Sequence, residues 1–230
     1  MGESRKFNIG GYCAIAAGLA YVIVGIAYFN LPEIQRGTSD FSKFTEYLIS
    51  VAADSTMLEL QYWFFSIASV MGLAVIISAK RFMKDFSDDI LDWASVLGLI
   101  GYGVMCTNFI RIAFLLPQRA QRFAEGGEEL RQAMLGANAL PLDPTGILGF
   151  GFVGFWFLIL NYLARSKDNF PDELAYIGIM GGILHMFVPL GTIIDQQILV
   201  AIAAGFGGVV LGPIWYIWFG ITLTKNTNLD

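Results

Sequence analysis

The chain has 230 residues, of which 56% are apolar and 14% charged, and its formal net charge is −5. So few charges are typical of a surface that faces lipid, and scattered basic residues on an acidic chain exclude a nucleic-acid-binding patch. The longest polar connections, roughly 27 residues each at 33–59 and 117–143, fall below the rough 40-residue limit for unaided folding, so we expect a single domain over 1–230.

Six stretches contain no Asp, Glu, Lys or Arg, and each is close to the roughly 20 residues that a helix needs to cross a bilayer. They are 7–32, 60–79, 93–110, 144–164, 174–194 and 196–224. We therefore predict an all-α fold, a polytopic transmembrane helix bundle with one or two interfacial helices on its outer face. The predicted spans are about 8–30, 58–79, 92–115, 144–164, 173–194 and 197–222.

The first span carries small residues along one face. Gly11, Gly18 and Gly25 are seven residues apart, with Ala14 between them, and such a stripe lets another helix approach closely in lipid. The pattern does not distinguish packing within the bundle from a homodimer seam. A short polar head at residues 1–6 leads directly into an apolar run of about 26 residues, so we expect this span to be retained and not removed as a signal peptide.

Both long connections are predicted to be helical. In the first, apolar residues recur at spacings of three and four from Phe41 to Ala52, with Thr38 or Ser39 as the cap. In the second, the amphipathic stretch from Arg119 to Leu135 is interrupted by Gly126-Gly127, which predicts a broken helix or a helix followed by a loop. The two alternatives for both segments are packing at the membrane interface and a lid over an outward-facing cavity.

Two helix starts are marked by proline and acidic residues. Asp143-Pro144 predicts a cap and a first-turn proline for the fourth span. Asp172 and Glu173 after Pro171 place acids in the first turn of the fifth, as the helix dipole favours.

Small-residue faces are also predicted in the third, fifth and sixth spans. They comprise Ala94, Gly98, Gly101 and Asn108; Gly178, Gly181, Gly182, His185 and Pro189, extended to Thr192 and Gln196; and Ala204, Gly208 and Gly212. Because small residues permit close helix contact, we expect these faces to point into the bundle, and glycine faces could also bind a second copy or a membrane-complex partner.

The single histidine, His185, lies near the predicted midplane of the fifth span. An ionisable group at that depth is costly and is therefore a functional candidate. The alternative is a neutral imidazole bonded to a backbone carbonyl that Pro189 leaves open.

Polar residues at the outer ends of the spans are the sharpest candidates for a ligand site. The predicted ligand-binding residues are Glu59, Tyr62, Asn108, Arg111, His185 and Gln196, with Asp195 as an alternative to Gln196. We expect them to line one polar cavity that opens outward. The competing interpretation treats Glu59 and Arg111 as interfacial anchors, or as an ion pair that joins two helices.

The sequence lacks the residues that several known reactions and cofactor sites of membrane proteins require. No lysine lies within a span to form a retinal Schiff base, one histidine cannot hold a bis-histidine haem, and the sequence has no CxxCH, HExxH or phosphate-loop motif. Cys13 and Cys106 fall at different depths, so we expect no disulfide between them. We predict no catalytic residue, no metal site and no cofactor.

Part of the chain resembles a known group of proteins. Phe170-Pro171, the run from Ala175 to Gly178, Gly181-Gly182 and the run from Gly212 to Gly220 carry the resemblance. They resemble the fifth and sixth helices of a broad bacterial family of six-helix integral membrane proteins of unknown function. The resemblance covers about half of the chain, implies the six-helix fold and assigns no catalytic residue.

Three functional classes follow. The first is a receptor, carrier or transporter for a small lipophilic or weakly charged solute; the second is a structural or accessory subunit of a membrane complex; the third is an intramembrane enzyme that acts on a lipid or isoprenoid. Basic residues in short loops, at Lys80, Arg81, Lys84, Arg165 and Lys167, favour cytoplasmic termini in the inner (plasma) membrane.

Overall fold

Six helical segments cross the molecule from one end to the other. The computed structural model describes residues 8–36, 43–84, 89–136 and 142–226, and no β-strand occurs within these ranges. The segments long and apolar enough to span a bilayer are Ile9–Asn30, Thr56–Phe82, Asp89–Glu125, Ile147–Ala164, Asp172–Ile193 and Gln197–Lys225. The predicted all-α polytopic bundle is confirmed.

The helices are numbered in chain order. They are α1 Ile9–Asn30, α2 Phe44–Ala53, α3 Thr56–Phe82, α4 Asp89–Glu125, α5 Glu128–Gly136, α6 Phe152–Ala164, α7 Asp172–Ile193, α8 Gln197–Ile202 and α9 Gly212–Asn226. A 3-10 turn, Glu33–Gln35, follows α1, and π-helical segments at Ile147–Gly151 and Ala203–Leu211 precede α6 and α9. The sixth span therefore consists of α8, the second π-helical segment and α9.

The spans form a closed ring in the order α1, α3, α4, α6, α7 and sixth span, which returns to α1. The Asn8 side-chain amide donates to the Leu223 carbonyl at 2.8 Å, so α1 begins where α9 ends. We call this end of the bundle the terminal end. The opposite end, which carries α2 and α5, is the connector end.

Aromatic side chains fill the middle of the ring, and three of them, Tyr102, Tyr216 and Trp215, pair their polar atoms within the protein. The hydroxyls of Tyr102 and Tyr216 are hydrogen-bonded to each other. The indole N–H of Trp215 donates to Asn161 Oδ1 at 2.8 Å, and Asn161 Nδ2 donates to the Phe157 carbonyl at 2.8 Å. Because lipid offers no hydrogen bonds, these pairs keep the buried polar atoms satisfied.

The glycine stripe of α1 packs against the sixth span. A Cβ atom at Gly18 would lie 2.6 Å from Ile217 Cγ1, and one at Gly220 would lie 2.6 Å from the Gly11 carbonyl oxygen. At Gly25 the neighbour is Val209. The stripe is thus used inside the bundle.

The predicted inward face of the sixth span is wrong. Ala204 is exposed, and among the described residues no atom lies within 4 Å of a Cβ built at Gly208. Instead Ala203, Gly207 and Leu211 are buried. The buried residues have the same spacing of four as the predicted ones but lie one position earlier, so the repeat of small residues gives the right spacing and the wrong face.

The second connection is partly a continuation of a span. α4 runs to Glu125, so the stretch from Arg119 extends that helix instead of forming a separate one. The break falls at Gly126-Gly127 as predicted, and α5 follows it. In the first connection α2 begins at Phe44; Thr38, Ser39 and Phe41 lie outside the described residues.

The fourth span starts later than predicted, while the fifth starts where expected. Gly146 adopts a left-handed conformation with φ 77°, so the helix begins at Ile147 and not at Pro144. Asp143 still acts as a cap, because its Oδ2 accepts from the Gly149 N–H at 2.7 Å. α7 begins at Asp172 with its acids in the first turn.

We predict that Gly220→Ala lowers the free energy of unfolding by about 1–3 kcal/mol, because the new methyl group would meet the α1 backbone. Gly103→Ala is the matched control, since no described atom lies within 4 Å of its Cβ position. Unfolding of the purified variants in mixed micelles measures both. Equal destabilisation of the two variants would contradict the close contact.

We predict a measurable energetic coupling between Asn161 and Trp215, because their side chains are hydrogen-bonded. Asn161→Leu leaves the Trp215 indole N–H unpaired and is expected to cost about 1–3 kcal/mol. A cycle with Trp215→Phe is expected to give a coupling of about 1 kcal/mol. Asn30→Leu, at an exposed asparagine of α1, is the control and is expected to stay within about 0.5 kcal/mol of the parent protein. Additive effects of the two core changes would argue against the pair.

Candidate functional site

A cavity of about 280 Å³ opens at the connector end, where α1, the 3-10 turn, α2 and α3 meet. Its lining residues are Tyr28, Gln35, Arg36, Phe44, Tyr47, Gln61 and Tyr62. Four of these side chains are aromatic and two are amides. The lining contains no carboxylate within the part of the chain that the structure describes.

The roof of the cavity is α2. Its apolar side chains Leu48 and Val51 are buried in a small cluster with Leu31, Leu58 and Phe123. This cluster draws α2 against the extension of α4 and the start of α3. Phe44 and Tyr47, on the same helix, are thereby held over the end of α1.

Gln35, a residue of the cavity lining, has a side-chain acceptor without a partner among the described residues. Its side chain is only 4% exposed, and Nε2 donates to Ser50 Oγ at 2.9 Å and to the Asp54 carbonyl at 3.0 Å. A carbonyl can only accept, so the contact with Asp54 fixes which way the amide points. Oε1 is then buried without a hydrogen-bond partner among the described residues. Such a group costs about 1–3 kcal/mol unless a donor reaches it.

The guanidinium of Arg36 belongs partly to the scaffold. Its Nε donates to the Leu31 carbonyl and one Nη to the Phe29 carbonyl, each at 3.0 Å. These bonds satisfy carbonyls at the carboxyl end of α1, where a positive charge also complements the helix dipole. One positive charge therefore lies beside the cavity.

The aromatic walls are flat and uncharged. The rings of Phe44 and Tyr47 lie 6.1 Å apart with an interplanar angle of 15°, and Tyr62 packs against Phe109 at 5.9 Å. Burial raises the pKa of Tyr47, so its hydroxyl stays protonated near neutral pH. The cavity thus offers apolar ring faces, neutral hydroxyls and the acceptor of Gln35.

Of the six predicted ligand-binding residues, Tyr62 lines this cavity and the other five do not. Glu59 is half-buried and accepts from Ser55 Oγ at 2.5 Å, and Arg111 is exposed on α4. Within the described ranges the ion pair shorter than 4.0 Å joins Lys80 and Asp92, so Glu59 and Arg111 do not pair. Asn108 is half-buried on α4, and Gln196 and Asp195 are exposed at the turn before α8. Their role as ligand-binding residues stays a prediction.

His185 is a residue of α7, and its ring packs against α6. Its Nδ1 is 2.8 Å from the Gly181 carbonyl oxygen, one turn earlier in the same helix, and its ring stacks on Phe157 at 5.7 Å. The predicted bond to a carbonyl opened by Pro189 is therefore wrong. A proline at 189 frees the carbonyl of residue 185 itself, four positions earlier.

Sequence reasoning missed Gln35, Arg36 and Gln61. The available signal was a polar stretch directly after Pro32, placed between a span and an amphipathic helix. The two cysteines are free, as expected. Among the described residues there is no group of His, Cys, Asp or Glu with the geometry of a metal site.

These features define a polytopic α-helical membrane protein with six spans. The chain belongs to the family described as a domain of unknown function, DUF4386, whose model matches residues 14–223. That match confirms the resemblance to a family without an assigned function. No match was found among curated proteins or among solved structures.

We predict that Gln35→Leu loosens the roof of the cavity. Loss of the bonds to Ser50 and Asp54 is expected to speed amide exchange in Phe44–Ala53 by about thirtyfold, since the two bonds contribute about 1 kcal/mol each. Hydrogen exchange read by mass spectrometry measures this. Gln132→Leu, which removes an exposed bond to Glu128 on α5, is the control and should leave α2 unchanged. Equal exchange in parent and Gln35→Leu would mean that Gln35 does not hold α2.

Proposed function

We propose that this protein binds a small lipophilic or weakly charged solute in the connector-end cavity, as a receptor, carrier or transporter. The observation that carries the proposal is Gln35, which lines a wall otherwise made mainly of aromatic rings and whose buried Oε1 has no hydrogen-bond partner among the described residues. A ligand site is typically an apolar concavity with a few fixed polar groups. The connector-end cavity has this composition, and its volume of about 280 Å³ suits a small solute.

The lining selects the chemistry of the solute. Gln35 Oε1 needs a hydrogen-bond donor, so a hydroxyl or amide N–H fits it and an ionised carboxylate does not. The rings of Tyr28, Phe44 and Tyr47 favour a flat apolar body. The positive charge of Arg36 opposes a second full cation. A neutral or weakly acidic molecule with one donor meets all three conditions.

A matched pair of probes tests this proposal. We expect 4-butylphenol to bind the protein in lipid nanodiscs about fivefold more tightly than 4-butylanisole, because only the phenol can donate to Gln35, a bond of about 1 kcal/mol. Gln35→Met is expected to abolish the difference. Calorimetric titration of both probes gives the ratio directly, even if the variant loosens α2.

Substitutions of tyrosine locate the site. Tyr47→Leu is expected to weaken both probes about tenfold, whereas Tyr162→Leu, at an exposed tyrosine of α6, should not. Equal affinities for phenol and anisole in the parent protein would contradict the assigned acceptor. If His185→Ala or Arg111→Ala weakens binding and Tyr47→Leu does not, the solute occupies the outward polar cavity predicted from sequence.

A second candidate is an accessory subunit of a membrane complex or a homo-oligomer. It is supported by the small-residue surface of the sixth span, where Gly205 and Gly208 have no described neighbour at their Cβ positions. Purification in a gentle detergent tests it. Recovery of the protein alone, as a monomer, would contradict this role.

A further inference from the structure

A second cavity, of about 490 Å³, lies at the terminal end between α3 and α4. Its lining divides into a charged rim and an apolar wall. The rim consists of Lys80, Arg81, Lys84, Asp89 and Asp92, and the wall is formed mainly by Ile76, Ile77, Leu91, Val96 and Leu99. It is separated from the connector-end cavity by the length of the spans, so an inference about it does not rest on the proposed function.

The division between rim and wall coincides with the membrane boundary. The charge-free stretch of α3 ends at residue 79 and that of α4 begins at residue 93, so the charges of both helices begin at one level. Below that level Ile77 is 47% and Val96 53% exposed, on the surface that faces hydrocarbon. The rim therefore lies at the depth of lipid headgroups and the wall at the depth of acyl chains.

Among the described residues, the charges of the rim are only partly neutralised. Lys80 and Asp92 form an ion pair at 3.1 Å. Within the described residues, no such pair includes Arg81, Lys84 or Asp89. The helix dipoles account for the sign of each charge, since the cations end α3 and the carboxylates begin α4. The helix dipoles do not explain why these cations and Asp89 line a cavity whose remaining wall is apolar.

We propose that this cavity binds an aminophospholipid, a lipid whose headgroup carries a phosphate and a primary ammonium. Arg81 and Lys84 hold the phosphate, and Asp89 accepts from the ammonium. One acyl chain lies along Ile77 and Val96. The headgroup supplies an anion for the two cations and a cation for the carboxylate, so every charge of the rim gains a partner.

Other common headgroups fit less well. Phosphatidylglycerol carries the phosphate but no cation, which leaves Asp89 next to an anion. Phosphatidylcholine has a trimethylated ammonium that cannot donate a hydrogen bond to a carboxylate and is bulkier. The expected order of affinity is phosphatidylethanolamine first, with the other two behind.

The test uses delipidated protein in an uncharged detergent, with dioctanoyl phosphatidylethanolamine, phosphatidylglycerol and phosphatidylcholine as probes. Native mass spectrometry counts bound lipid, and thermal unfolding reports stabilisation. We expect phosphatidylethanolamine to bind at least about fivefold more tightly than the others. Asp89→Asn is expected to remove this preference, and the double variant Arg81→Gln with Lys84→Gln to weaken phosphatidylethanolamine binding about tenfold.

Two controls lie at the same end of the bundle but outside the cavity. Arg165→Gln removes a cation that packs over the Tyr176 ring at 4.9 Å, and Asp168→Asn removes an exposed carboxylate. Both are expected to bind the three lipids as the parent does. Equal binding of all three lipids by the parent, or equal loss in the controls and in the rim variants, would overturn the proposal. Since mass spectrometry counts lipid on folded protein only, a less stable variant still gives a valid ratio.

Discussion

Inside a bilayer a polar side chain has to find its hydrogen-bond partner within the protein, and most of this structure follows from that constraint. Ser66, Ser69 and Thr192 each donate to the carbonyl four residues earlier, at 2.8 Å, and the His185 ring contacts the carbonyl at the same spacing. These hydroxyl and imidazole groups have hydrogen-bond partners within their own helix, so they do not need a partner from a ligand. The ring of His185, the residue that sequence alone made most conspicuous, has a partner for Nδ1 and a stacked aromatic neighbour.

Within the part of the chain that the structure describes, two buried side-chain atoms have no hydrogen-bond partner. One is the indole nitrogen of Trp156, whose neighbours are the rings of Phe157 and Trp215 at 5.0 and 6.2 Å, inside the packed core. The other is Gln35 Oε1, at the wall of a cavity large enough for a small molecule. The two atoms differ in their surroundings, because Gln35 lines the connector-end cavity, whereas Trp156 lines neither of the two cavities.

The sequence predicted the six spans because charges mark the membrane boundary, and it predicted the packing face of α1 because glycines repeat at an α-helical period. It failed for the sixth span, where the small residues at 204, 208 and 212 do not mark the buried face, which lies one position earlier at Ala203, Gly207 and Leu211. It also missed most of the connector-end cavity. Tyr62 was among the candidates, but Gln35 reaches the wall only because α2 packs back over the end of α1, a tertiary contact that periodicity does not encode. Glu59 and Arg111 were predicted to lie together from their positions at span ends, but within the described residues they form no ion pair and neither lines the connector-end cavity.

The two cavities lie at opposite ends of the ring, and the side chains between them decide which functions need motion. Tyr102, Trp156, Trp215 and Phe219 are each at most 1% exposed and fill the middle of the ring. Binding at the connector end requires no change in that packing. Transport would require some of the helices to move. The free-energy cost of that movement would be lowest for a segment that loses little packing. The first half of the sixth span fits that condition, since α8 buries none of its residues and the π-helical segment is buried only at Ala203, Gly207 and Leu211. A receptor thus needs only the structure as it stands, whereas a carrier needs this segment to move relative to α7.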